Sequence, residues 1–140
     1  MSLSALCLFL GDSTAKGVAL AYNRHAPSPC SIIARVGAGS AEISGWSPPA
    51  QVRMAILGIG SNNPTSPGLA ADLRRTRANL HAERVIWMLP YHRRAAATVR
   101  RVAIIFGDYV IDLADLPSND SLHPRNYAGI ARALQHWPLR

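Results

Sequence analysis

Alternation constrains this chain more than any other feature. Short, continuous apolar runs take turns with stretches whose apolar positions recur at three and four residues. A run that is apolar throughout suits a strand covered on both faces, and the three-and-four spacing marks an amphipathic helix. The runs predict strands over Leu3–Leu10, Ser31–Val36, Val52–Ile59, Arg84–Leu89 and Tyr109–Leu113. Between and after them the spacing predicts helices over Ala15–Asn23, Ala41 to about Trp46, Leu69–Ala82, Ala95–Phe106 and Arg125–His136. Ser13 or Thr14 is available to cap the first helix, and Pro48-Pro49 stops the second. Strand–helix alternation of this kind demands right-handed crossovers and a parallel sheet. The expected fold is α/β, a three-layer α/β/α sandwich on a five-stranded parallel sheet.

The 140 residues suit a single domain over 1–140, and 49% apolar content supplies a core and excludes disorder. No apolar run approaches the ~18 residues that cross a bilayer. Leu3–Leu10 lacks a basic segment before it and leads into Gly11-Asp12-Ser13, so it reads as a strand and not as a signal peptide. The default compartment is therefore the cytoplasm, with no membrane span.

Basic residues outnumber acidic ones by 15 to 8, for a net charge of +7, and every basic residue but Lys16 is arginine. One account is coding bias toward arginine and alanine; the other is attraction to a polyanion. The arginines fall in scattered pairs with no interleaved aromatics, which gives no specific nucleic-acid signature. Arg93-Arg94 follows the fourth strand and offers either a solvated loop or a contact for an anionic substrate. Two cysteines do not make a disulfide framework, and Cys7 is expected as a small buried hydrophobe. Neither has a partner at zinc spacing, so no metal is expected.

Ligands of such sheets bind beyond the carboxyl ends of the strands, which directs attention to four loops. Gly11-Asp12-Ser13-Thr14 follows the first strand and puts a hydroxyl at a helix N-terminus; Ser13 is either a cap or a nucleophile. Gly37-Ala38-Gly39-Ser40 lets backbone N–H groups approach a ligand, or simply reverses the chain. Gly60-Ser61-Asn62-Asn63 offers a neutral amide donor in Asn62, or a turn that satisfies itself. In Asp120-Ser121-Leu122-His123 a carboxylate three residues before an imidazole can fix its tautomer and leave Nε2 as a base; a helix-capping His is the alternative. The fold sends all four loops to one end of the sheet, where they supply nucleophile, base, orienter and oxyanion donors together.

In these blocks the sequence resembles the SGNH (GDSL-type) hydrolases, serine esterases and lipases of flavodoxin-like α/β/α fold. The first block is Gly11-Asp12-Ser13, with Thr14 where the family usually has Leu. The last is Asp120 to His123, continued by Pro124, Tyr127 and Gly129. The third matches at Gly60 and Asn62, with Asn63 standing where Asp is usual. In the second block either Gly39 or Ser40 stands at the backbone-donor position.

The resemblance spans nearly the whole chain and implies acyl transfer to water without metal or organic cofactor. It assigns Ser13 as nucleophile, His123 as base and Asp120 as its partner, with Ser13, Gly39 and Asn62 as oxyanion hole. The loops leave no room for a lid, so the expected substrate is a short acyl ester, acetyl first, on a small molecule or a glycan. Ser40, Trp46 and Tyr91 are possible substrate contacts, with His92 beside them; Trp87 reads as core. The sequence leaves the oligomeric state open, a monomer being plausible. A thioesterase or lysophospholipase of the same family, or a non-catalytic module for an acidic polymer, are the alternatives.

Overall fold

The computed structural model describes residues 7–48 and 51–135. Strand β1 (Cys7–Gly11) is buried at every position, as a run without polar interruption must be. It pairs in parallel with β2 (Ser31–Ala34) on one side and β3 (Val52–Gly58) on the other; β4 (Ala82–Leu89) and β5 (Tyr109–Asp112) follow. The order β2-β1-β3-β4-β5 is fully parallel, and the chain reverses its direction of travel at β1. A doubly wound sheet binds its ligands at that reversal, beyond the strand ends.

Alternate residues of the strands serve two cores. Leu8, Leu10, Leu57 and Trp87 pack against α2 (Ser40–Ser44), α3 (Leu69–Ala78) and α4 (Arg93–Phe106) through Ile43, Leu73 and Val99. Phe9, Ile56 and Met88 pack on the opposite face against α1 (Ser13–Asn23) and α5 (Ala128–Gln135) through Val18 and Ile130. Three layers and five parallel strands agree with the fold expected from the alternation.

Boundaries differ in detail. Helix α3 ends at Ala78, four residues before the expected Ala82, because Ala82 already pairs with Val52 as the first residue of β4. Helix α5 starts at Ala128, where the Asn126 side chain caps its N–H at 2.7 Å. The expected residues 3–6 of the first strand and His136 of the last helix lie outside the described residues.

The cysteines require a correction. Cys7 is buried as expected, but it is bonded to Cys30. Helix α1 returns the chain to the foot of β1, so residues 23 apart in sequence come within 4.8 Å at Cα, inside the range a disulfide spans.

Candidate active site

The first turn of α1 sits directly over the end of β3, and two glycines allow it. Gly11 and Gly58 are paired in register; a side chain on Gly11 would lie 2.0 Å from the Gly58 carbonyl oxygen, and one on Gly58 2.6 Å from the Thr14 hydroxyl. Gly11 also has φ +146°, which only glycine adopts freely. Asp12, not Ser13 or Thr14, caps α1: its Oδ1 accepts from the Thr14 N–H at 2.9 Å and the Thr14 hydroxyl at 2.6 Å. Ser13 is thereby the first helical residue, and its hydroxyl is not spent on a cap.

That hydroxyl meets an imidazole from the far end of the chain. Ser13 Oγ lies 2.6 Å from His123 Nε2, and His123 Nδ1 lies 2.9 Å from Asp120 Oδ2. The turn carrying Asp120 and His123 is built from its own side chains. Asp120 Oδ1 accepts from the N–H of Leu122 at 2.9 Å and of His123 at 2.8 Å. Ser121 takes a left-handed φ of 58°, a conformation that disfavours L side chains and persists where neighbours enforce it. Ser118 does part of the enforcing: its Oγ accepts from the Ser121 N–H at 2.9 Å and donates to the His123 carbonyl at 2.5 Å. The Tyr91 hydroxyl donates to the Leu116 carbonyl at 3.1 Å, anchoring the segment that leads in. The His123 side chain, and then the N–H groups of His123 and Leu122, hold the Asp120 carboxyl well below the usual carboxylate range.

Two titratable groups lie around this constellation, Asp12 buried and Tyr127 partly buried. Burial pushes the fully buried Asp12 carboxyl up, against the Thr14 hydrogen bonds, the nearby Ser61 amide and the charge of His123. Its Oδ2 has no hydrogen-bond partner among the described residues. Tyr127 is pushed up to about 12 by burial first, then by the charges of Asp12 and Asp120.

The loops after β2 and β3 meet each other at the same edge of the sheet as the turn that carries Ser13. Asn62 Nδ2 donates to the Ala38 carbonyl at 3.0 Å, which pins the amide of this exposed residue and leaves Nδ2 a second hydrogen to donate. Ser40 is completely buried, and its backbone N–H donates to Asn63 Oδ1 at 3.1 Å. Of the two candidate backbone donors, Ser40 is therefore spent internally and cannot touch a substrate, whereas Gly39 is part-exposed. The same contacts account for Asn63. Its Nδ2 donates to Ser40 Oγ at 2.6 Å, and Ser40 Oγ passes its own proton to Asp72 Oδ2 at 2.6 Å. The carboxylate stands on α3, so position 63 needs a donor, which Asn has and Asp lacks.

Other residues singled out from the sequence divide. Trp87 is core, fully buried, with its indole N–H on Asp108 at 2.9 Å. Trp46 packs half-buried against the same core. Burial first, and then the charges of Asp120 and Asp112, raise the Tyr91 phenol, but its hydroxyl is engaged at Leu116. His92 caps α4 through Nδ1. Among the described residues no group of three or more His, Cys, Asp or Glu is arranged to hold a metal ion. Ser118 and Asp72 are not visible as site residues in the sequence, since a lone Ser and an Asp in the first turn of a helix carry no signal of a site.

Solved structures share this architecture. The carbohydrate acetylesterase Est24 from Sinorhizobium meliloti superposes with a TM-score of 0.63 at 11% identity, covering 92% of this chain and 97% of that one. The C-terminal catalytic domain of peptidoglycan O-acetyltransferase A from Streptococcus pneumoniae gives 0.59 at 19% identity, over 96% of this chain and 94% of that domain. At these identities the likeness is one of fold, and the fold is the one that the SGNH-like sequence blocks imply. No family model matches the sequence, and no curated protein matches it either.

Proposed function

We propose that this chain is an SGNH-type serine esterase that hydrolyses short acyl esters, acetyl first, carried by a carbohydrate. The observation that carries the reading is the continuous path from Ser13 Oγ through His123 to Asp120, at 2.6 and 2.9 Å. Ser13 Oγ attacks the ester carbonyl carbon while His123 Nε2 takes its proton, and Asp120 stabilises the imidazolium. The tetrahedral oxyanion is held by the N–H groups of Ser13 and Gly39 and by the Asn62 amide. Collapse breaks the ester C–O bond, and His123 returns its proton to the departing alcohol. Water, deprotonated by His123, then attacks the acyl-enzyme, freeing the acid and Ser13.

The acyl preference rests on the loops. A single residue, Asp12, joins β1 to α1, and the loops after β2 and β3 are held by the Ser40–Asn63 and Asn62–Ala38 bonds, leaving no insertion to shelter a long chain. The carbohydrate acceptor draws support from the fold shared with a carbohydrate acetylesterase. No helix of the described residues is long and apolar enough to cross a membrane. The Cys7–Cys30 disulfide persists where thiols stay oxidised, which weighs against the cytoplasmic placement expected from the sequence.

Hydrolysis of p-nitrophenyl acetate and decanoate by the parent and by Ser13→Ala tests the proposal, with fluorophosphonate labelling as a second readout. Rapid acetyl release and labelling, both lost in Ser13→Ala, are expected. A preference for decanoate would contradict the open site, and an unlabelled parent would remove the activated serine.

A further inference from the structure

A groove of about 430 Å³ opens behind the loop that carries Asn62, between residues 64–70 and the outer side of α4. Leu69 and Ala70 contribute its apolar lining, Thr65 and Ser66 offer hydroxyls, and Arg94 and Arg101 stand on its helical wall. No acidic residue lines it. Arg35, Arg53, Arg77 and Arg93 are paired with Glu42, Glu83, Asp108 and Asp112. Arg93 is further consumed by the carbonyls of Tyr91 and Pro90. Arg94 and Arg101 have no carboxylate partner among the described residues; Arg101 reaches only the Thr98 hydroxyl, at 3.4 Å. Arg93 and Arg94, adjacent in sequence, thus do different work, one structural and one turned to the groove.

Position supplies the rest. Pro64 is two residues from Asn62, at most about 7 Å along the chain, so whatever fills the groove adjoins the ester site. Arg94 and Arg101 stand seven positions apart on α4, about 10 Å along it, which suits two anionic groups on one polymer better than a single small anion. The groove has no aromatic side chain on which a nucleobase could stack, which disfavours single-stranded nucleic acid. We infer that this groove binds the flanking units of an acidic, carboxylate- or phosphate-bearing glycan whose acyl ester is cut at Ser13. The inference rests on the esterase reading and adds to it the charge of the substrate.

The test compares kcat/KM on an O-acetylated polyuronate, an O-acetylated phosphate-bearing glycan and a neutral O-acetylated polysaccharide, at low and high salt. The parent is expected to favour at least one acidic polymer about tenfold over the neutral one, and which one identifies the anion. That preference should collapse at high salt and in the Arg94→Ala/Arg101→Ala variant, and Arg94→Lys should restore part of it. Equal rates on acidic and neutral polymers, or a preference that survives in the double variant, would overturn the inference. A parent inert toward p-nitrophenyl acetate would sink the esterase reading alone. Retention of Ser13→Ala protein on the unacetylated acidic glycans still decides the groove in that case: loss of retention on adding the two arginine substitutions supports it. Unchanged retention, or tighter binding to a single-stranded RNA than to either glycan, refutes it.

Discussion

Asn63 grips Ser40 at two points, accepting from its backbone N–H at 3.1 Å and donating to its hydroxyl at 2.6 Å. The hydroxyl has one proton and gives it to Asp72. Asn63→Asp leaves two carboxylates competing for that proton beside Gly39, and should lower kcat on p-nitrophenyl acetate about tenfold with little change in KM. Reversing the polarity with Asn63→Asp/Asp72→Asn restores one donor and one acceptor to Ser40 and should recover most of the loss. A double variant no better than the single would mean that the chain Asp72–Ser40–Asn63 does not position the Gly39 turn.

The proposed nucleophile and base act as a unit, so their losses should not add. Ser13→Ala and His123→Ala are each expected to reduce kcat by on the order of 10³-fold or more, and the double variant by no more than either alone. Asn62→Ala should cost roughly 10²–10³-fold, the usual loss of one oxyanion donor. Steady-state kinetics on one ester, with circular dichroism to exclude unfolding, separates these cases.

The disulfide lies at the opposite end of β1 from Ser13. Closing a 23-residue separation stabilises the fold by about 3 kcal/mol, largely by restricting the unfolded chain. Reduction, or Cys7→Ser/Cys30→Ser, should shift urea unfolding by that amount while kcat at low temperature holds. A matching fall in kcat would mean that the foot of β1 communicates with the turn at its head.

Acid should destabilise the protein, and the sign follows from two carboxylates. Asp112 is held low chiefly by the Arg93 guanidinium, and Asp120 by His123. A carboxyl depressed on folding stabilises above its unfolded value, about 3.9, and loses that contribution as pH falls toward its folded value. Asp12, raised by burial, acts in the opposite sense: it favours folding when neutral and costs stability once ionised. Tm should fall below about pH 4, and Asp112→Asn should show a shallower fall. An unchanged slope in that variant would remove Asp112 from the account.

Apolar runs and three-to-four spacing are local properties of the chain, and they determined the five parallel strands and the helices between them. Local too is the Asp120–His123 turn, whose partners lie within five residues, and so it was legible as a motif. The meeting of Ser13 with His123, 110 residues away, was expected from the fold and the resemblance of the blocks, and the structure supplies its distance. What the tertiary structure alone decided are the meetings of Ser40 with Asp72, 32 residues apart, and of Cys7 with Cys30, 23 apart. Neighbouring residues were also sorted only by packing: Arg93 went to Asp112, Arg94 to the groove, and the Ser40 N–H to Asn63, leaving Gly39 as the candidate backbone donor. The physical reason is that periodicity records which face of a segment is buried. Which partner each polar group finds depends on how the layers bring separate loops together at one sheet edge.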